Sequence, residues 1–372
     1  MRVRFCDQLW WTVLCAVFIA IHMAPSARAD VQYTVTNLGA LPGDTESWPT
    51  AINNLGQVVG YSAVPGLNYN AWLYSNGSMT SLGNPAYPGS KALALNNVGQ
   101  VVGTSSGPNL GGAFVSSAGN MQYIGNGLVP TGINDSGTIV GSYFVNADIR
   151  GFVYTNGIIQ DFGTLPGGVS ASANAINDAG QIAGESGGGG VTHAVLYSNG
   201  VMQDLGTLSG GSSSGGYAIN NLGDVAGSSR TPLLGGIDHA FLYTQSAGMI
   251  DIGQSLGNTA TFAYGVNDSD LVVGYINGNG GNRAFLYSGG VLYNLNDLID
   301  PSSEVLLDRA IGINDAGQII AQGATAQDPN GTYAFLLTPT PEPGAGVIVL
   351  GTICGFVLLR GGRSDRVRHT QS

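Results

Sequence analysis

One string constrains this chain more than any other. Ala51-Ile52-Asn53-Asn54-Leu55-Gly56-Gln57-Val58-Val59-Gly60 has the form of a tight β-hairpin, and near copies of it return along the whole sequence. They begin at Ile52-Asn53-Asn54, Leu95-Asn96-Asn97, Ile133-Asn134-Asp135, Ile176-Asn177-Asp178, Ile219-Asn220-Asn221, Val266-Asn267-Asp268 and Ile313-Asn314-Asp315. The first asparagines are spaced by 43, 38, 43, 43, 47 and 47 residues. A period of this length belongs either to propeller blades or to helical solenoids. Apolar residues here alternate or come in runs of three or four between Gly and Asn, so strands are predicted rather than helices.

The spelling of the copy has a local reason. Asn53 stands where a type I turn wants a side-chain acceptor, and Gly56 where the chain needs positive φ to enter the return strand. Asn96, Asn134, Asn177, Asn220, Asn267 and Asn314 repeat the first role; Gly99, Gly137, Gly180, Gly223 and Gly317 repeat the second. The sixth copy has Asp270 instead, a residue that tolerates the left-handed region. The closing Gly60, and its equivalents up to Gly274, is expected to admit a neighbouring backbone; the seventh copy has Ala321 there.

A second hairpin follows each first one. Its strands include Ala71-Trp72-Leu73-Tyr74 and Ala240-Phe241-Leu242-Tyr243, and Asn76-Gly77, Asn156-Gly157 and Asn199-Gly200 mark two-residue turns. Return strands lie near Leu82, Ile124, Phe162, Leu205, Ile252 and Leu295, but the seventh copy stops at Leu337-Thr338-Pro339 without one. Val31 to Gly39 reads as that missing strand. The prediction is therefore an all-β, seven-bladed β-propeller of seven roughly 43-residue, four-stranded repeats, its last blade closed by the N-terminal strand.

Both ends of the chain read as addresses. Arg2 and Arg4, an apolar run from Leu9 to Met23, and Ala27-Arg28-Ala29 make residues 1–29 a secretory signal, with Asp30 the first mature residue. The repeat body is assigned to 30–338. In the tail, 339–372, Pro341-Glu342-Pro343 precedes an apolar run from Gly344 to Leu359 and then Arg360, Arg363, Arg366 and Arg368. Such a run makes roughly 24 Å of helix, marginal for a bilayer core, with the arginines on the cytoplasmic side. The tail resembles the PEP-CTERM sorting signal of Gram-negative bacteria that make exopolysaccharide. That resemblance implies transient anchoring in the inner membrane, removal of the tail by a membrane protease of the exosortase type, and release to the cell surface or matrix. The alternative is a permanent single-helix anchor.

The three cysteines (Cys6, Cys15, Cys354) fall in these ends, so the mature body has no thiol chemistry. Seven of the twelve basic residues but only two of the 23 acids lie outside residues 30–343. Residues 30–343 keep five bases against 21 acids, 5 − 21 = −16, which disfavours nucleic acid and anionic membrane as partners.

The repeats resemble the extracellular HAF family, through His239-Ala240-Phe241-Leu242-Tyr243, His193-Ala194-Val195, Asp204-Leu205-Gly206-Thr207-Leu208 and Asp161-Phe162-Gly163-Thr164-Leu165. Five copies lack the histidine, so the resemblance implies no role for it. His193 and His239 hold one position on two different blades, which points to strand-entrance bonding rather than catalysis. Arg150, Arg230, Arg283 and Arg309 do not all share one position of the repeat, against a sialidase-like axis. Asp135, Asp178, Asp268 and Asp315 could bind Ca²⁺, or act only as turn formers. No catalytic residue and no cofactor is expected. The Gly187–Gly190 tract precedes no helix, so it is a loop and not a phosphate cradle. The sequence thus points to an exported, non-enzymatic structural or binding module, with signal peptidase and an exosortase as processing partners. Its alternatives are a lectin-like propeller that binds exopolysaccharide and, behind that, a glycan hydrolase or lyase.

Overall fold

The computed structural model describes residues 32–340, apart from 65, 67, 84–88, 107–111, 147, 233–235 and 279. The predicted signal residues Ala27, Ala29 and Asp30 and the sorting residues Pro341, Glu342, Pro343, Arg360 and Arg363 lie outside the described residues, as does the tail helix expected over 344–359. Among the described residues no helix is long and apolar enough to cross a membrane.

The repeated turn forms as its spelling requires. Asn53 N–H donates to the Gln57 carbonyl and Gly56 N–H to the Asn53 carbonyl, each at 3.0 Å, while Asn53 Oδ1 accepts the N–H groups of Leu55 and Gln57. Gly56 sits at φ +73° and Asp270, its substitute in the sixth copy, at +57°. Each such turn joins the first two strands of one sheet.

Seven four-stranded antiparallel sheets result. Blade one contains β2 (Glu46–Ile52), β3 (Val58–Ala63), β4 (Asn70–Ser75) and β5 (Ser78–Ser81), blade two β6 (Ser90–Leu95), β7 (Val101–Ser105), β8 (Gly112–Ser117) and β9 (Asn120–Asn126). Blade three contains β10 (Leu128–Ile133), β11 (Ile139–Val145), β12 (Asp148–Thr155) and β13 (Ile158–Asp161), blade four β14 (Ser170–Ile176), β15 (Ile182–Gly188), β16 (Val191–Ser198) and β17 (Val201–Gly206). Blade five contains β18 (Ser213–Ile219), β19 (Val225–Arg230), β20 (Asp238–Thr244) and β21 (Gly248–Asp251), blade six β22 (Ala260–Val266), β23 (Val272–Gly278), β24 (Gly281–Ser288) and β25 (Val291–Asn294). Blade seven takes β26 (Val305–Ile313), β27 (Ile319–Thr325) and β28 (Asp328–Pro339) from the end of the body and β1 (Tyr33–Asn37) from its start. Val35 lies opposite Leu337 and Asn37 opposite Phe335, so the N-terminal strand closes the ring as predicted.

First strands contact first strands around the axis, β26 against β2 included. The apolar core is correspondingly divided into seven clusters, each spanning two adjacent blades. The Ala-Phe pair of the repeat has its reason here. Phe241 packs with Ala194 of the preceding blade, Phe285 with Ala240, and Phe335 with Ala284. A small residue on one face of each blade makes room for the next blade's ring.

Every first strand carries a bulge at one shared position. The register skips Thr50, Leu93, Thr131, Asn174, Tyr217, Tyr264 and Ile311, three residues before the turn Asn. The extra residue turns its side chain to the axis. A Cβ at Gly60 would overlap the Trp48 carbonyl oxygen, and one at Gly274 the Phe262 carbonyl oxygen, which explains the closing glycine. The seventh blade carries Ala321 because a second bulge, at Asp308, moves that close approach along to Gly323 and Leu306.

Candidate functional site

The axial channel has two unlike ends. At one, the turn asparagines form a closed ring. Asn53 Nδ2 donates to the Asn96 carbonyl at 3.0 Å, Asn96 to Asn134 at 2.9 Å, Asn134 to Asn177 at 3.1 Å and Asn177 to Asn220 at 2.9 Å. Asn220 donates to Asn267, Asn267 to Asn314 and Asn314 back to Asn53, each at 3.0 Å. All seven are buried. A second ring lies on the first, with Asn54 N–H on Asn97 Oδ1, Asn97 on Asp135, Asp135 on Asp178, Asp178 on Asn221, Asn221 on Asp268, Asp268 on Asp315 and Asp315 on Asn54, at 2.7–3.0 Å.

These rings answer what the turn residues do at the axis. The predicted residues Asn53, Asn96, Asn134, Asn177, Asn220, Asn267 and Asn314 meet there, whereas Gly56, Gly99, Gly137, Gly180, Gly223 and Gly317 serve only their own turns. Asp135, Asp178, Asp268 and Asp315 each commit one carboxylate oxygen to a neighbouring backbone N–H. Among the described residues no group of three or more His, Cys, Asp or Glu side chains is placed to hold a metal ion.

Above the rings Ile52, Leu95, Ile133, Ile176, Ile219, Val266 and Ile313 separate this end from a wider chamber of about 260 Å³, lined also by Thr50, Tyr217, Tyr264 and Ile311. The residues two positions earlier, on the same face of each first strand, crown that chamber. They are Trp48, Lys91, Val129, Ser172, Gly215, Phe262 and Arg309, in blade order. The second strands add Tyr61 opposite Trp48, Glu185 opposite Ser172 and Tyr275 opposite Phe262. Blades three to five thus present small residues at the crown, and blades six, seven, one and two a run of rings and cations.

The rings are ordered into two groups. Trp48 stacks on Tyr61 at 5.2 Å between centroids, and Tyr69 meets both edge-on at 5.9 and 5.1 Å. Lys91 Nζ lies 4.6 Å over Tyr61 and 3.9 Å over Tyr69. Across blades five and six, Tyr217, Tyr264, Tyr275 and Phe262 stack in series at 5.7, 5.8 and 5.0 Å. Arg309 Cζ caps Tyr275 at 4.6 Å. With its side-chain amide turned so that oxygen rather than nitrogen faces the guanidinium, Asn282 accepts from Arg309 Nε and Nη2, each at 3.0 Å.

Burial shapes the acids and phenols here. It pushes the Tyr264 hydroxyl up to about 12, with Tyr275 and Tyr217 adding to the rise. It also raises the Tyr61 hydroxyl, Glu185 and Asp308, the last against the opposing pull of Arg309.

Sequence reasoning centred on the turn residues, while Tyr74, Tyr154, Tyr197, Tyr243 and Tyr287 of the second hairpins pack against the inter-blade clusters. It missed Trp48, Tyr61, Tyr69, Tyr217, Tyr264, Tyr275, Lys91 and Arg309. The available signal was variation between copies, since three of the mouth positions differ freely among the repeats while the turn Asn never does.

The two histidines couple the second hairpin's two strands. His193 Nδ1 lies 2.9 Å from Asp204 on the adjacent strand, and His239 Nδ1 lies 3.0 Å from Asp251 with Nε2 2.8 Å from the Gly257 carbonyl. In blade three Arg150 reaches Asp161 at 4.0 Å from the same position. Ser186 stands opposite His193, which places Ser, His and Asp on one blade. Ser186 Oγ nevertheless accepts the Leu165 N–H and donates to the Ser170 carbonyl, and Ser229 beside His239 repeats that pattern. These hydroxyls hold backbone and are not poised as nucleophiles.

No family model and no curated protein matches the sequence. The fold itself is shared. A puromycin-hydrolysing peptidase of Mycobacterium tuberculosis superposes with a TM-score of 0.53 at 11% identity, over 78% of this chain and 51% of that one. An acylaminoacyl peptidase of Pyrococcus horikoshii gives 0.50 at 9%, over 82% and 54%. TolB from Acinetobacter baumannii gives 0.44 at 11%, over 78% and 65%. The chain therefore spans half to two thirds of the length of these structures, and the likeness is one of fold.

Proposed function

We propose that the protein is an exported, non-enzymatic propeller of the cell surface or exopolysaccharide matrix that binds polysaccharide at the wide mouth of its axial channel. The observation that carries this reading is the arc of rings at that mouth. Sugar rings present flat C–H faces between hydroxyl edges, and half-exposed Trp and Tyr offer an apolar face with a polar tip. Trp48, Tyr61, Tyr217 and Tyr264 supply such faces from the first and second strands and Tyr69 from the connection before β4, while the buried Tyr275 backs the stack. Export rests on the predicted signal before Asp30 and sorting on the Pro341-Glu342-Pro343 tail, processed by signal peptidase and an exosortase.

Titration calorimetry of the purified chain with a panel of oligosaccharides tests the binding. At least one is expected to bind, with Trp48→Ala and Tyr264→Ala each weakening it about ten-fold or more at unchanged fold. A folded protein that binds none of them, or binds as well without both rings, would falsify the reading. The protein is expected outside the cells with a mass that begins at Asp30; protein found only inside the cells, with residues 1–29 retained, would remove the export step.

A further inference from the structure

Two cations stand in the aromatic arc, and their placement narrows the ligand. Arg309, Trp48 and Lys91 hold one register position on three consecutive blades, seven, one and two, with Phe262 next on blade six. We infer that the mouth selects glycans that carry carboxylate groups, such as uronic acid oligosaccharides, with Arg309 and Lys91 binding carboxylates on either side of a sugar seated at Trp48. The inference rests on the reading of the mouth as a glycan site.

The chain's own charge makes these two residues unusual. Residues 30–343 hold 21 acids to five bases, so a cation has many carboxylates to choose from. Yet among the described residues neither Lys91 nor Arg309 lies within 4.0 Å of a carboxylate; the ion pairs found are Arg150–Asp161, His193–Asp204 and His239–Asp251. Lys91 is instead held over the faces of Tyr61 and Tyr69, and Arg309 over Tyr275. Aromatic faces orient a cation without neutralising it. Asn282 fixes the Arg309 guanidinium through two of its five N–H donors, which leaves three for a ligand in the planar arrangement that suits a carboxylate.

The net charge of −16 sets the kind of anion. Dispersed surface acids act over about a Debye length of 8 Å, so a polymer with closely spaced charge is repelled along its length. A sugar chain with one carboxylate per residue or fewer meets the two cations at contact distance while its neutral parts stack. Dense polyanions such as nucleic acid do not fit this description.

Tetragalacturonate and its fully methyl-esterified counterpart test the point, because they share a sugar backbone and differ in charge. In calorimetric titrations of the full chain the acid is expected to bind about ten-fold or more tightly than the ester. Lys91→Met and Arg309→Met should each erase most of that preference while leaving ester binding in place, and Trp48→Ala should weaken both ligands. Equal affinity for acid and ester, or a preference that survives both Met variants, overturns the charge selection and leaves glycan binding standing. Failure of both ligands overturns the charge selection, while binding of other, neutral sugars in the panel decides separately whether the mouth is a glycan site.

Discussion

A chain without residues 32–40 is expected to melt about 10 °C or more below the intact protein and to self-associate. The deletion removes all of β1 and two buried side chains, Tyr33 and Leu38. Burial of two such side chains contributes roughly 2–3 kcal/mol each, and with the lost ladder bonds the total reaches about 5 kcal/mol or more. For a domain of this size each kcal/mol moves the melting temperature by about 2 °C. The deletion also strips the partner from β28 and bares its edge beside Phe335 and Leu337, an open template for another chain. Calorimetry and size-exclusion chromatography read the two effects. An unchanged melting temperature with a monomeric profile would mean that β1 does not hold the ring.

The same strand carries an alkaline weakness. Burial pushes the Tyr33 hydroxyl from 10 up to about 12. Between pH 10 and about 12 the unfolded chain therefore gives up a proton that the folded chain keeps. Stability falls as pH rises through that window and is untouched below it. Tyr33→Phe should flatten that decline in part, since Tyr264 titrates in the same window.

Much of this architecture was legible because it is local and repeated. The period, the Asn-x-x-Gly turn, the Asn-Gly hairpins (Asn76 at φ +52°, Gly77 at +79°) and the unpaired N-terminal strand each follow from a few neighbouring residues. What escaped the sequence is contact between copies. Asn177 reads there as a turn former; that its amide also reaches Asn220, 43 positions on, depends on how blades are spaced around the axis. The bulge at Thr50 and its equivalents left a trace, the small residue that always follows it, but strand alternation alone gives no reason for it. The mouth was hidden for the opposite cause. Trp48, Lys91, Phe262 and Arg309 are unlike residues in one column of the repeat, and only closure of the ring makes them neighbours.

The buried asparagine ring should be the most costly place to cut. Asn177 Nδ2 donates to Gln181 Oε1 at 2.8 Å and to the Asn220 carbonyl at 2.9 Å, and its Oδ1 accepts the Gln181 N–H at 2.9 Å. Asn177→Ala removes all three, leaves the Gln181 N–H without its acceptor and leaves the buried Asn220 carbonyl with the Gly223 N–H alone, at a cost of about 3 kcal/mol. Asn177→Asp keeps the acceptor but turns a carboxylate oxygen toward two other oxygens at a 4%-exposed site, so it should destabilise at least as much. Asp178→Ala makes the contrast. It deletes the acceptor for the Asp135 N–H in the outer, exposed ring, where water can take its place, and should cost under about 1 kcal/mol. Since the ring is closed, Asn314→Ala, which cuts a bond across 261 positions of sequence, should cost about as much as Asn177→Ala, which cuts one across 43. Urea unfolding of the four variants gives the order directly. If the two rings proved equally tolerant, the inner asparagines would be turn formers only, and the blades would be held by apolar packing and β1 alone.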